Sequence, residues 1–190
     1  MMSLFYLLFC SVLSFGQTTT SIGFWHKPPS PDNNTPIYSS FVAGTLRNNY
    51  TGWVGGVIRV GSNPITVTSL GRLFITGNSG THTVALFLYT TGIVVPNGSV
   101  SINMTGGTNG QWKYATLTTP PTLNANTDYY IVSLETNGGD QWYDADAQIT
   151  ITADATHDGT VYGDGASSDW IPNINGSNFT YGPPNFKYHR

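Results

Sequence analysis

Residues 81–89 read THTVALFLY, and this stretch decides the fold class. In an extended chain, successive side chains face opposite sides. Both of the resulting sets are apolar, namely Val84, Leu86 and Leu88 on one side and Ala85, Phe87 and Tyr89 on the other. A short run that is apolar on both sides is typical of a strand in the core of a sandwich. We therefore predict a central β-strand here.

Six further stretches have the composition of strands, being short and rich in β-branched and aromatic residues. They lie at 64–70, 99–104, 112–117, 128–134, 148–152 and 185–189. Gly-rich positions at 106–107, 138–139 and 162–165 are interpreted as breaks between strands. No helical periodicity persists between them. Many short strands without helices predict an all-β fold, a single β-sandwich that is jelly-roll-like or Ig-like.

Residues 1–16 have the features of a secretory signal peptide. The apolar run at 4–13 is too short to span a bilayer, and Gly16 precedes a plausible cleavage point. The only cysteine, Cys10, lies in this segment. We therefore expect residues 17–190 to form one disulfide-free domain that is secreted to the extracellular space or cell surface, with no membrane span in the mature chain.

The charge pattern argues against nucleic-acid binding. Charged residues make up 9% of the chain, against roughly 25% in a typical soluble domain. The seven Lys and Arg residues are scattered singly, so no basic patch is available to neutralise phosphates.

Several motifs follow one another in order along the chain, at 23–25 (GFW), 65–71 (ITVTSLG), 80–87 (GTHTVALF), 110–114 (GQWKY) and 120–130 (PPTLNANTDYY). In these motifs the chain resembles a bacterial extracellular β-sandwich domain family of unknown function, often found beside glycosidase or adhesion modules in surface proteins. The resemblance implies a β-sandwich in an extracellular, carbohydrate-rich setting. It implies no catalytic residue.

The acidic residues are concentrated in one part of the sequence. Seven of the ten lie within 140–169, and no Lys or Arg occurs between Lys113 and Lys187. Clustered carboxylates on flexible loops suit Ca²⁺, and Asp140, Asp144 and Asp146 are the best candidate ligands. Their spacing is not that of an EF-hand, and the alternative is that these aspartates stabilise turns and solvate loops.

Aromatic residues lie beside some of these acids. Trp142 and Tyr143 adjoin Asp144, and Trp170 follows Asp169, all near glycines. Sugar rings stack on aromatic faces while nearby carboxylates bind their hydroxyls. We therefore predict a site for an extracellular polysaccharide or glycan at Trp142, Tyr143, Trp170 and Asp169. The alternative is that these aromatic side chains belong to the core.

Other candidate chemistry is weaker. The sequence has no G-x-S-x-G, P-loop or dinucleotide-binding motif, so we expect no enzyme. His82 is interpreted as structural, bonded to a neighbouring backbone group. Six N-glycosylation sequons occur, at Asn33, Asn49, Asn97, Asn103, Asn175 and Asn178.

Two functions remain open. The first is a non-catalytic module that binds extracellular polysaccharide or other cell-surface material. The second is a self-assembling subunit of an extracellular fibre, sheath or matrix, because few charges protect the strand edges from pairing. In that case residues 17–25, which include no charged residue, could add as a strand to a neighbouring copy.

Overall fold

The computed structural model describes residues 34–190, so the predicted signal segment at 1–16, the predicted exchange strand at 17–25 and Asn33 lie outside the described residues. Within 34–190 the only helical element is a single 3-10 turn at Ser167–Asp169. No helix in this part of the chain is long and apolar enough to cross a membrane. The strands are β1 (Thr35–Pro36), β2 (Tyr38–Val42), β3 (Leu46–Arg47), β4 (Gly52–Val60), β5 (Ile65–Leu73), β6 (Thr81–Leu88), β7 (Val94–Asn103), β8 (Trp112–Thr116), β9 (Thr122–Leu123), β10 (Asp128–Glu135), β11 (Trp142–Ile151), β12 (Ala155–Gly163), β13 (Ile171–Ile174), β14 (Phe179–Gly182) and β15 (Asn185–His189).

These strands form three antiparallel sheets. Sheet I has the order β1-β15-β5-β8, with β9 also paired to β5. Sheet II has six strands in the order β13-β12-β4-β10-β6-β7. Sheet III has the order β14-β11-β2, with β3 also paired to β11. Each of the seven stretches predicted from the sequence contains a strand, so the prediction of an all-β fold is confirmed.

Sheets I and III form one continuous layer, because the chain at 35–42 crosses from one to the other. Its first residues pair with β15 and its last with β11. At the crossing, the Ile37 N–H donates to the Phe186 carbonyl at 2.9 Å, and the Thr152 N–H donates to the Ile37 carbonyl at 2.9 Å. The main core contains residues of all three sheets: Tyr38, Ile58, Val67, Leu70, Leu86, Ile131, Ile149 and Phe186. It therefore lies between sheet II and the layer formed by sheets I and III.

Strand β6 is an interior strand of sheet II, as its sequence predicts, with β10 on one side and β7 on the other. Val84 and Leu86 face the main core. Ala85 and Phe87 belong to a second cluster, called the outer cluster here, which consists of Val57, Ala85, Phe87, Tyr130, Val132, Val161 and Trp170. The central strands of sheet II are thus buried on both faces.

Strand β4 lies at the centre of sheet II, and its sequence does not predict it. The reason is a pair of glycines, which normally indicate a break. A Cβ added to Gly55 would lie 2.0 Å from the Ile131 carbonyl oxygen, and one added to Gly56 would lie 2.3 Å from Cε1 of His157. These glycines allow neighbouring strands and side chains to approach the backbone closely.

The predicted break at 162–165 is wrong at its first two positions, because Tyr162 and Gly163 belong to β12. A Cβ at Gly163 would lie 2.4 Å from Cδ1 of Trp170. The glycine is therefore needed where the Trp170 indole lies against the strand.

Candidate functional site

A pocket of about 230 Å³ lies where β3, β4, β11, β12 and β14 meet. It is called the aromatic pocket here. Its lining consists of Arg47, Asn49, Tyr50, Val54, Trp142, Asp144, Tyr162 and Tyr181. Strands from sheets II and III both contribute, so the pocket lies between the two layers of the sandwich.

A β-bulge in β11 shapes this region. Tyr143 pairs with Gly182 and Ala147 with Thr180, so three residues of β11 oppose Tyr181 alone. Such bulges bend a strand and re-aim its side chains, and they are common beside functional sites. Asp144 lies in the bulge and lines the aromatic pocket.

Gly44 accommodates the other acid of the bulge. A Cβ at Gly44 would lie 2.2 Å from Oδ1 of Asp146. With no side chain there, Thr45 binds Asp146 twice, through its N–H at 2.8 Å and its hydroxyl at 2.7 Å.

Four aromatic rings follow one another around the pocket. The ring centroids are 5.9 Å apart for Tyr50 and Tyr162, 5.8 Å for Tyr162 and Tyr181, and 6.0 Å for Tyr181 and Trp142. All three contacts are edge-to-face, a favourable arrangement that adds to the burial of the rings. The rings are therefore fixed by one another before any ligand binds.

The polar groups of the pocket are only partly paired. Arg47 Nε donates to Oδ2 of Asp144 at 2.5 Å, and this ion pair is partly exposed. Among the described residues, no group pairs with the hydroxyls of Tyr50, Tyr162 or Tyr181. Burial and the charge of Asp164 raise the pKa of Tyr50, and burial and the charge of Asp144 raise that of Tyr181. Both phenols therefore keep their protons and remain available as donors.

Trp142 adds a further unpaired donor. Its side chain is 3% exposed, and its Nε1–H has no hydrogen-bond partner among the described residues. A buried donor left unsatisfied costs about 1–3 kcal/mol. The nitrogen is closed off from solvent, so a ligand in the pocket would reach this donor only through a shift of the ring.

The structure brings together only part of the predicted glycan site. Trp142 and Asp144 line the aromatic pocket, and Tyr143 instead lies against Phe41 with ring centroids 6.0 Å apart. Trp170 is 5% exposed in the outer cluster, and Asp169 is exposed in the 3-10 turn. The sandwich buries both indole rings, as the alternative of a core position would have it, and glycan contact at these residues stays a prediction.

The three predicted calcium ligands have separate partners. Asp140 accepts from the backbone N–H groups of Ser79 and Gly80, each at 2.9 Å, whereas Asp144 pairs with Arg47 and Asp146 with Thr45. Within residues 34–190, no group of three acidic, histidine or cysteine side chains is placed to hold a metal ion. Calcium binding at these positions stays a prediction of the sequence.

All five sequon asparagines within the described residues are exposed, as a glycan requires: Asn49, Asn97, Asn103, Asn175 and Asn178. Asn49 is unusual among them because it lines the aromatic pocket. A glycan attached there would compete with any ligand of the pocket.

His82 does bond a backbone group, and it also joins two carboxylates. Its Nδ1 lies 3.0 Å from the Leu134 carbonyl and 3.2 Å from Oε2 of Glu135, and its Nε2 lies 3.0 Å from Oδ2 of Asp140. Both ring nitrogens face acceptors, which suits the doubly protonated imidazolium. The side chain is almost fully buried, so the arrangement is structural.

The sequence does not predict that Arg47, Tyr50 and Tyr181 belong to a site. It predicts Asn49 only as a glycosylation sequon. These residues lie far along the chain from Trp142 and reach it only through the pairing of β11 with β3 and β14. No local motif identifies them.

In comparisons with known proteins, no family model, no curated protein and no solved structure matches this chain.

Proposed function

We propose that this chain is a secreted, non-catalytic protein of the extracellular space or cell surface, which binds polysaccharide in the aromatic pocket. The observation that carries the proposal is the set of unpaired polar groups on mutually packed aromatic rings. Sugars present the same combination, apolar C–H faces bordered by hydroxyls. The signal segment at 1–16 supports the extracellular location.

The hydrogen-bonding capacity of the pocket fits hydroxyl groups. The phenols of Tyr50, Tyr162 and Tyr181 can each donate and accept one hydrogen bond, as a sugar hydroxyl does. The Asn49 amide, which has no partner among the described residues, adds two donors and an acceptor. Each bond formed contributes roughly 0.5–1.5 kcal/mol, so several are needed for useful affinity.

The acid content of the pocket favours binding over hydrolysis. Glycoside hydrolysis ordinarily uses two carboxyl groups on opposite sides of the scissile bond. Asp144 is the only carboxylate among the described residues that line the pocket, and Arg47 pairs with it. An acid held as an ion pair is poorly suited to donate a proton.

Affinity electrophoresis in gels that contain neutral polysaccharides tests the proposal. We expect wild-type protein to be retarded by at least one of cellulose derivatives, soluble chitin derivatives, xyloglucan, starch and mannan. The triple variant Tyr50→Phe/Tyr162→Phe/Tyr181→Phe keeps the rings and removes three hydroxyls, so it should bind about 100-fold more weakly. Tyr89→Phe, which removes a phenol from the border of the outer cluster, is the matched control and should bind normally.

Two results would overturn the proposal. One is the absence of retardation by any of these polysaccharides. The other is equal binding by the wild type and the triple variant, since the ligand would then lie elsewhere.

Self-assembly is the second candidate, and the outer edge of sheet II favours it. Within residues 34–190, strand β13 pairs only with β12, and it carries no charged residue. Its Ile171 and Ile174 side chains are 55% and 51% exposed. An uncharged edge with exposed apolar groups can pair with another copy, although Pro172 removes one backbone donor.

Light scattering distinguishes the two candidates. If the protein assembles through β13, the double variant Ile171→Lys/Ile174→Lys should convert the assemblies to monomers. Ile93→Lys, which places the same charge at another exposed isoleucine, should leave them intact. A monomeric wild-type protein would exclude this candidate.

A further inference from the structure

We propose that the glycan site continues beyond the aromatic pocket into a second pocket across the β11 bulge. This proposal rests on the proposed function and adds the class of ligand: a linear, uncharged or amino-sugar chain that occupies at least two subsites. The second pocket, called the distal pocket here, measures about 440 Å³. Its lining consists of Asp144, Ala145, Asp146, Thr160, Asn173, Asn175 and Phe179.

The two pockets are neighbours along the same strands. Asp144 lines both of them. On β14, Tyr181 lines the aromatic pocket and Phe179 the distal pocket, and on β12 the corresponding residues are Tyr162 and Thr160. Residues two apart on a strand lie about 7 Å from each other. Both strands therefore give the same short step from one pocket to the next, as a chain of sugars would require.

The size of the aromatic pocket also indicates a larger site. Its volume of about 230 Å³ is below the roughly 300–1,000 Å³ of most ligand pockets. With the distal pocket included, the site falls within that range. A single sugar would therefore make only part of the available contacts.

The distal pocket offers the same chemistry as the first. Phe179 is 39% exposed and presents an aromatic surface. The Asn173 amide is exposed and has no partner among the described residues, so it is free to bind hydroxyls. Each pocket thus combines an aromatic ring with an unpaired amide, since Asn49 has this role in the aromatic pocket.

The charges around the two pockets select against acidic glycans. Arg47 balances the charge of Asp144. Asp146 accepts two hydrogen bonds from Thr45, and these bonds, together with the nearby charge of Arg47, lower its pKa, so it remains ionised. No Lys or Arg is among the described residues that line the distal pocket. One cation, Arg47, thus faces the two carboxylates Asp144 and Asp146, so uronic-acid or sulfated chains would meet a net negative charge there.

Isothermal titration calorimetry with oligosaccharides of one to six units tests the inference. The probes are β-1,4-glucose, β-1,3-glucose, α-1,4-glucose, β-1,4-mannose and β-1,4-N-acetylglucosamine series, together with oligogalacturonate as the acidic series. We expect affinity for one neutral or amino-sugar series to rise at least tenfold between the single sugar and the tetramer, as a second set of contacts forms. Oligogalacturonate should not bind.

Variants in the distal pocket separate this inference from the proposed function. Asn173→Ala should lower affinity for the tetramer at least threefold and leave affinity for the shortest bound oligomer unchanged. Asn63→Ala, which removes an exposed amide from the turn between β4 and β5, should alter neither. Affinity that is independent of length, or an equal loss for short and long oligomers in Asn173→Ala, overturns the two-subsite site alone. If no series binds the wild-type protein, the proposed function fails as well.

Discussion

The guanidinium of Arg72 and the carboxylate of Glu135 form a bidentate ion pair inside the sandwich, with Nε–Oε1 and Nη2–Oε2 distances of 3.0 and 2.8 Å. Their side chains are 3% and 1% exposed. Arg72 lies on β5 in sheet I and Glu135 on β10 in sheet II, so the pair joins the two layers. The Ser133 hydroxyl, at 2.7 Å, adds a hydrogen bond to the same carboxylate.

Removing Arg72 should destabilise the protein strongly, because the Glu135 carboxylate would remain buried with only His82, 3.2 Å away, to balance its charge. We expect Arg72→Met to lower the free energy of unfolding by about 3–5 kcal/mol. The control is Arg59→Met, which breaks the largely exposed pair with Asp128 and should cost less than about 1 kcal/mol. Urea unfolding measures both free energies. Equal losses in the two variants would show that the buried pair stabilises the protein no more than the exposed pair does.

The stability of the protein should fall as the pH rises above 6.5. Burial lowers the pKa of His82, but the hydrogen bond to Glu135 and the charge of that carboxylate outweigh it, and the pKa lies above its ordinary 6.5. Arg72 opposes this effect and Asp140 faces the second ring nitrogen. The stabilisation is complete below 6.5, where the unfolded chain is also protonated, and is lost as the pH rises through the folded pKa.

His157 should act in the opposite direction. Burial lowers its pKa below 6.5, so its contribution is complete above that pH and is lost as the pH falls. Urea unfolding between about pH 5 and about pH 9 should therefore show a decline on both sides. His82→Asn should remove the alkaline decline, and an NMR titration of the wild-type imidazole gives the pKa directly. A His82 pKa at or below 6.5 contradicts the prediction.

Substitution of two buried tryptophans, one at the pocket and one away from it, distinguishes ligand contact from packing. Trp142 and Trp170 both have an Nε1–H without a partner among the described residues, but only Trp142 lines the aromatic pocket. Replacing either by Phe leaves a cavity, and the removal of the unpaired donor offsets part of its cost, so we expect similar net losses of about 1–2 kcal/mol in stability. Calorimetric titration with the bound oligosaccharide should show weakening of roughly three- to tenfold in Trp142→Phe only. Equal affinity in both variants would leave the Trp142 N–H without a role in binding.

Chelation should not alter the protein. Asp140, Asp144 and Asp146 each have a protein partner, and a calcium ion would have to displace these contacts. We expect the same melting temperature in EDTA and in excess Ca²⁺, measured by differential scanning fluorimetry. If calcium raises the melting temperature of the wild type but not that of Asp144→Asn, the metal site predicted from the sequence would be supported.

A glycan at Asn49 should block the aromatic pocket. When the protein is made in a host that glycosylates sequons, we expect mass spectrometry to find Asn49 modified and the protein unable to bind its polysaccharide. Because the sequon asparagine Asn175 lines the distal pocket, the double variant Asn49→Gln/Asn175→Gln from the same host is compared, and it should bind at least tenfold better than that wild-type protein. Asn103→Gln, which removes an exposed sequon on β7, should give no recovery. Full binding by protein that carries a glycan on Asn49 would place the ligand elsewhere.

The fold class could be predicted because its signal is local. The alternation at 81–89 assigns Val84 to one buried face and Phe87 to the other without knowledge of any partner strand. Gly55 and Gly56 in β4 instead indicate a break between strands. Their actual role depends on Ile131 and His157, which are remote in sequence. A glycine that admits a distant neighbour has the same sequence signature as a glycine in a turn.

The candidate site was predictable only where its residues are neighbours in the sequence. Trp142 and Asp144 lie two positions apart, and both line the aromatic pocket. Tyr50 and Tyr181 reach it through strand pairing that no short motif encodes. The sequence left the position of Trp170 open, because an aromatic residue near glycines has the same pattern whether it faces a ligand or covers a sheet.

The position of β15 has a consequence for biosynthesis. This strand lies between β1 and β5, and its Phe186 and Tyr188 side chains are 0% and 2% exposed. Folds built on such distant pairings form slowly, on the millisecond to second scale. The core cannot be completed before residue 189 has left the ribosome. We therefore expect sheet I to form only after β15 has been translated, and until then the apolar side chains of β5 remain open to chaperones and export machinery.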